Sequence, residues 1–158
     1  MKSKLGVALM ALALSALAIP ALSVAGRNTT NVEAKLKGKY VVDGGVDKGG
    51  AQMEIALKPT QSKLCFDFTA KRLDPITYGA IHKGAEGEVG KEKVMLFSDS
   101  TGLDGSGSYE GCVKNVKSKL LEKIAAKPES FYADLDTQAY PDGAVRGQLK
   151  LSKADDNQ

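Results

Sequence analysis

Tryptophan is absent from this 158-residue chain, aromatic residues make up only 6% of it, and His82 is its single histidine. Each shortage removes a class of chemistry. With so few rings, a platform for stacking carbohydrate has no support. A redox copper site built from several imidazoles is excluded by count. Any Ser–His–acid triad has to recruit His82, and no serine stands in a G-x-S-x-G nucleophile elbow. Gly84 to Gly90 is glycine-rich but opens no helix, so it reads as a hairpin turn and not as a phosphate-binding loop.

Charge of one sign is also scarce. Lys and Arg number 22 against 19 Asp and Glu, a net charge of +3. Two of those positive charges, Lys2 and Lys4, belong to an N-terminal segment with the layout of an export signal. A basic start is followed by an apolar run from Leu5 to Ala18, a break at Pro20, and small residues at Ser23-Val24-Ala25. Residues 1–25 are therefore expected to be removed, with cleavage after Ala25 and a site after Ser23 (Ala21-Leu22-Ser23) as the alternative. The apolar run is short for a membrane span, so none is expected after processing. The remaining chain is close to neutral, which makes nucleic acid a poor partner. It is long enough for one domain, and a secreted or periplasmic location is expected.

Only two cysteines occur, Cys65 and Cys112. An oxidising compartment favours a structural disulfide between them, which stabilises by roughly 4 kcal/mol in the chain-entropy account. Free buried thiols are the other reading. A redox pair fits poorly, because the spacing is far from C-x-x-C.

Residues 26–31 read as a flexible lead-in, and from Val32 the pattern is one of short strands. Ala34, Leu36 and Tyr40 to Val42 suggest a first strand ended by Asp43-Gly44-Gly45. Met53, Ile55 and Leu57 share one face of a second. Leu64, Phe66 and Phe68 alternate with Cys65, Asp67 and Thr69, so Cys65 is expected on the face opposite the two rings. Ile76 to His82 and Val94 to Phe97 are further strands. Ser98 to Gly107 reads as a polar loop outside the core. Val113, Val116, Leu120 and Ile124 recur at helical spacing, predicting a helix over 114–126 that ends before Pro128. Phe131, Ala133 and Leu135 alternate again, Tyr140 to Gly143 forms a turn, and Val145 to Leu151 closes the domain. The expected fold is all-β, an antiparallel sandwich or Greek-key barrel of about eight strands with one short amphipathic helix. It spans 32–151, with 152–158 as a disordered tail.

Several motifs, in order, are similar to those of the CHRD domain family. They are Cys65-Phe66, the His82-Lys83-Gly84 and Gly87–Gly90 hairpin, Gly111-Cys112, Phe131-Tyr132 with Thr137, and Gly143-Ala144-Val145-Arg146-Gly147-Gln148-Leu149. The resemblance implies an exported module without a firmly assigned reaction. Members often carry His-Ile-His where this chain reads Ala80-Ile81-His82, and a histidine in place of Asp136. A multi-histidine centre is thus not retained here.

The residue set that invites a site is accordingly small. His82 with Asp134 and Asp136 forms a candidate zinc or calcium sphere. The two aspartates lie two apart on a predicted strand and share a face opposite Phe131, Ala133 and Leu135, where acids are ordinarily just solvated. Arg146 offers a planar fork for an anion, or else pairs with Asp134 or Asp136 or caps carbonyls of a neighbouring loop. The leading expectation is a non-enzymatic extracellular or envelope binding module, a monomer without catalytic residues or cofactor. Its partner would be a protein or envelope component, contacted through Ile81–Gly90 and Asp134–Asp142. A metal-binding protein using His82, Asp134 and Asp136 is the alternative.

Overall fold

The computed structural model describes residues 29–153; the expected signal segment and residues 154–158 lie outside the described residues. Among the described residues, nine strands form two antiparallel sheets that pack as a sandwich. The first three make a meander, β1 (Thr30–Leu36), β2 (Gly50–Lys58) and β3 (Lys63–Lys71). The chain then crosses to the second sheet for the hairpin β4 (Ile76–Lys83) and β5 (Lys91–Leu103). It returns for β6 (Ser108–Lys114), passes through helix α1 (Ser118–Ala126), and enters β7 (Phe131–Thr137). β8 (Val145–Gln148) stays beside β7, and β9 (Lys150–Leu151) changes sheet to lie against β1. The orders are β6-β3-β2-β1-β9 and β5-β4-β7-β8.

Alternation explains the core. Val32, Ala34 and Leu36 of β1, Met53, Ile55 and Leu57 of β2, and Leu64, Phe66 and Phe68 of β3 point inward. They meet Ile81, Leu96, Ala133, Leu135 and Val145 of the other sheet. The rings of Phe66, Phe68 and Phe97 stack across the interface, with Phe68 and Phe97 centroids 5.6 Å apart. Two glycines make room for this stack. A Cβ on Gly111 would fall 2.7 Å from the Phe66 ring, and one on Gly79 would fall 2.5 Å from Phe97. Helix α1 closes one end of the sandwich with Leu121 and Ile124, both fully buried. Its start is tied down by Ser118, whose hydroxyl donates to the Pro59 carbonyl at 2.8 Å.

The structure corrects four expectations. β1 already begins at Thr30, so Thr30 and Asn31 belong to a strand and not to the lead-in. It ends at Leu36, and Tyr40 and Val42 are exposed beyond a 3-10 turn at Gly38–Tyr40. The polar stretch from Ser98 to Leu103 continues β5, because Ser98 and Leu103 still pair with Tyr78 and Ile76. Between them Asp99 Oδ1 accepts from the backbone N–H groups of Thr101 and Gly102, which stabilises an irregular strand without apolar side chains. Lastly, the helix starts at Ser118, while Val113 lies in β6. β6 is an edge strand with no fully buried residue, so its sequence carries little alternation for a reader to detect.

Cys65 and Cys112 sit directly opposite each other on β3 and β6 and form the disulfide. It lies on the outer face, away from Phe66 and Phe68, and staples the edge strand to the sheet. Replacing both cysteines by alanine should therefore lower unfolding free energy by about 2–4 kcal/mol. Urea denaturation of the double variant reads this directly; a midpoint equal to that of the parent would show that the ladder alone holds β6.

Candidate functional site

The outer face of the four-stranded sheet carries the polar residues that alternation turns away from the core. Tyr78, Ala80 and His82 come from β4, Tyr132, Asp134 and Asp136 from β7, and Arg146 and Gln148 from β8. Register pairs His82 with Tyr132, Ala80 with Asp134, and Tyr78 with Asp136. On the other side of β7, Asp134 faces Arg146. Because Ala80 is small, the His82 ring can reach diagonally to Asp134, with Nε2 at 3.2 Å from Oδ2.

Tyr132 organises the group. The His82 ring lies parallel to it, centroids 5.0 Å apart and planes 8° off. The Arg146 guanidinium carbon is 3.4 Å from the same ring's centroid. A buried guanidinium held on an aromatic face is stabilised by about 2 kcal/mol. Arg146 is 5% exposed and donates through Nη2 to the Ala85 carbonyl at 2.8 Å. It thus caps a loop carbonyl while sharing the Tyr132 ring. The Tyr132 hydroxyl accepts from the Gly90 N–H at 3.1 Å. Three carbonyls, those of Gly84, Glu129 and Phe131, converge on the Gln148 side-chain amide at 2.7–2.9 Å. The β4–β5 hairpin is therefore fastened to β7 and β8 by side chains as well as by the ladder. Gly90 is indispensable at its base, since a Cβ there would fall 1.7 Å from the Lys83 carbonyl oxygen.

Protonation follows from these contacts. His82 Nδ1 lies 3.2 Å from the Gly90 carbonyl, which only accepts, and Nε2 faces a carboxylate. Only the imidazolium satisfies both. Burial by itself disfavours that charge, but the hydrogen bond and charge of Asp134, with the Gly90 carbonyl, outweigh it and raise the His82 pKa. Burial, reinforced by the negative charge of Asp134, pushes Asp136 up to about 7. Tyr78 is pushed up to about 12 by burial and by its 2.6 Å hydrogen bond to Glu92. Asp134 Oδ1 is buried without a hydrogen-bond partner among the described residues.

These side chains form one wall of a cleft of about 930 Å³. Val89 and Glu92 beside the hairpin, Val41 to Asp43, and Pro141 to Gly143 complete it. Both segments expected to make contacts, Ile81–Gly90 and Asp134–Asp142, thus contribute to a single cleft. Of the metal candidates, His82 and Asp134 touch, and Asp136 lies further along the same face. Among the described residues no three His, Cys, Asp or Glu side chains gather into a group able to hold a metal ion. Tyr132 and Gln148 enter the sequence reading only as parts of family motifs, and Tyr78 and Glu92 are not among its site residues. Counting by two from Asp134 leads to Tyr132, and from His82 to Tyr78, which was the available signal.

A family model of the CHRD domain matches residues 32–149, so the chain belongs to the CHRD domain family. No curated protein and no solved structure matches it.

Two titrations test the site. In both His82 and Asp136 the folded state binds its proton more tightly than the unfolded chain, so both make stability fall as pH rises. The Asp136 contribution declines from 3.8 up to about 7. That of His82 is present below 6.5 and is lost as pH passes its raised folded value. Asp136→Asn should flatten the decline and raise stability at pH 8 by about 1–2 kcal/mol, well below full conversion of the shift because the half-exposed carboxyl is screened. Denaturant melts at pH 4, 6 and 8 read the slope. By NMR, Asp134→Asn should lower the His82 pKa; an unchanged value would mean that the carboxylate does not hold the imidazolium.

Proposed function

We propose that this chain is an exported, non-enzymatic CHRD-domain binding module that engages a protein or envelope component through the cleft on its four-stranded sheet. The observation that carries the reading is the commitment of His82. Both of its ring nitrogens serve the framework, one toward the Gly90 carbonyl and one toward Asp134. The side chain best suited to acid–base or ligand chemistry is thereby part of the scaffold that holds the hairpin. Arg146 and Tyr132 are spent in the same way. Beside Asp136 and the unpartnered Asp134 Oδ1, what the cleft offers is shape and rim: Val89, exposed by 74%, with Pro141 and Asp142. Loops on a rigid scaffold are the usual carriers of recognition. The Cys65–Cys112 disulfide suits an oxidising compartment, in keeping with the signal-like N-terminus.

The alternative is metal binding through His82, Asp134 and Asp136, and the unpartnered Asp134 Oδ1 is the observation in its favour. Elemental analysis of protein purified from its native compartment separates the two. Stoichiometric metal that disappears in His82→Ala would replace the binding-module reading. With no stoichiometric metal, the cleft is tested by capture from an envelope extract, comparing the parent with Val89→Glu and Asp142→Lys. Neither change touches the framework hydrogen bonds. A component retained by the parent and lost by both variants is expected; equal retention by all three would remove the cleft from the proposal.

A further inference from the structure

A second concavity, of about 500 Å³, lies on the outer face of the other sheet and has the opposite electrostatic character. Four cations line it: Lys35 near the end of β1 and Lys37 just past it, and Lys71 at the end of β3 with Arg72 just past it. Glu54 and Asp67 are the carboxylates that share it, leaving an excess of two positive charges. Neither carboxylate lies within ion-pair distance of the four cationic groups among the described residues.

The construction of this face keeps its floor low and brings two lysines to one glycine. Lys71 pairs in register with Gly50, and Lys37 lies on the other side of that glycine. Its Cδ and Nζ each lie 3.1 Å from the point a Gly50 Cβ would occupy, so a lysine chain rests on bare backbone. The two lysine stems thus rise from backbones about two strand spacings apart, roughly 9.5 Å. The backbones beneath them are fixed. Lys37 exchanges both backbone hydrogen bonds with Arg146, at 2.9 and 3.2 Å. Arg72 is one of three described non-glycine residues with positive φ, at 56°. That conformation costs about 1 kcal/mol or more and persists only where surroundings enforce it. Here its N–H donates to Ser106 Oγ at 3.0 Å, and Gly49 packs where any Cβ would strike the Arg72 carbonyl at 2.4 Å.

We propose that this concavity is an anion-binding site for a small polyanion of the phosphate type, with Lys37, Lys71 and Arg72 as its principal contacts. Two ammonium groups on separated strands suit a ligand with more than one negative charge, and the guanidinium supplies a fork for one oxyanion group. The site is on the opposite sheet from the cleft and does not depend on what the cleft binds.

Calorimetric titration of the whole exported chain with sodium tripolyphosphate at low ionic strength is the test. The helix lysines supply the control, because Lys119 and Lys123 are exposed cations that do not line this concavity. Saturable binding of one tripolyphosphate is expected. Lys37→Gln/Lys71→Gln should weaken it by about tenfold or more, and Arg72→Gln, with both lysines in place, should weaken it as well. Lys119→Gln/Lys123→Gln should leave it within about twofold of the parent. Equal weakening by the two lysine pairs would mean a diffuse surface field and would overturn the proposal. So would the absence of saturable heat in the parent.

Discussion

The antiparallel pairing of β4 with β7 is the constraint on which both the core and the cleft depend. It joins segments separated by β5, β6 and α1, and it has two faces with opposite requirements. Inward, Ile81, Ala133 and Leu135 are fully buried between the sheets. Outward, the same register brings His82, Tyr132 and Asp134 together. A slip by one residue would exchange the faces and drive Asp134 into the apolar interior, where an unpaired carboxylate is strongly disfavoured. Core packing therefore sets the geometry of the polar face.

Within that face, charge is arranged around an aromatic ring and not around an ion. Tyr132 receives the imidazole of one neighbouring strand and the guanidinium of the other. Its own hydroxyl is held by the backbone of the hairpin. Burial restrains each of these groups, so that the orientation of one depends on the presence of the others. The cleft wall is consequently cross-linked by side chains, whereas the 41–43 and 141–143 segments that complete it lie outside the strands.

Much of the fold was legible because large apolar residues alternate visibly. Leu64, Phe66 and Phe68 announce β3 and the outward direction of Cys65, and Phe131, Ala133 and Leu135 announce β7. The second half of β5 and the whole of β6 were not legible. Their pairing rests on backbone hydrogen bonds and a covalent bond, neither of which leaves an apolar rhythm in the residues. The helix was displaced by the same cause, since Val113 looks helical in spacing but is the last inward position of an edge strand. At the site, His82, Asp134, Asp136 and Arg146 stood out by residue type. Tyr132 showed only as part of a family motif, because its role at the site arises from cross-strand register, which a linear sequence does not display. The cationic concavity escaped for the same reason: Lys37 and Lys71 become neighbours only through Gly50.

The pairing of β1 with the two-residue strand β9 has a mechanical consequence. Val32 lies opposite Leu151, and the Ser152 N–H donates to the Asn31 carbonyl, so both ends of the folded unit leave side by side from one edge. A unit with adjoining ends can be spliced into a loop of another protein, or have its ends joined and be reopened elsewhere, with little distortion of either backbone. The same arrangement sets its response to tension. Force between the ends loads the β1–β9 hydrogen bonds one after another, as in a zipper, and not all at once in shear. The short closing strand would peel away first, and only then would load reach the Leu149 anchor and the sandwich behind it.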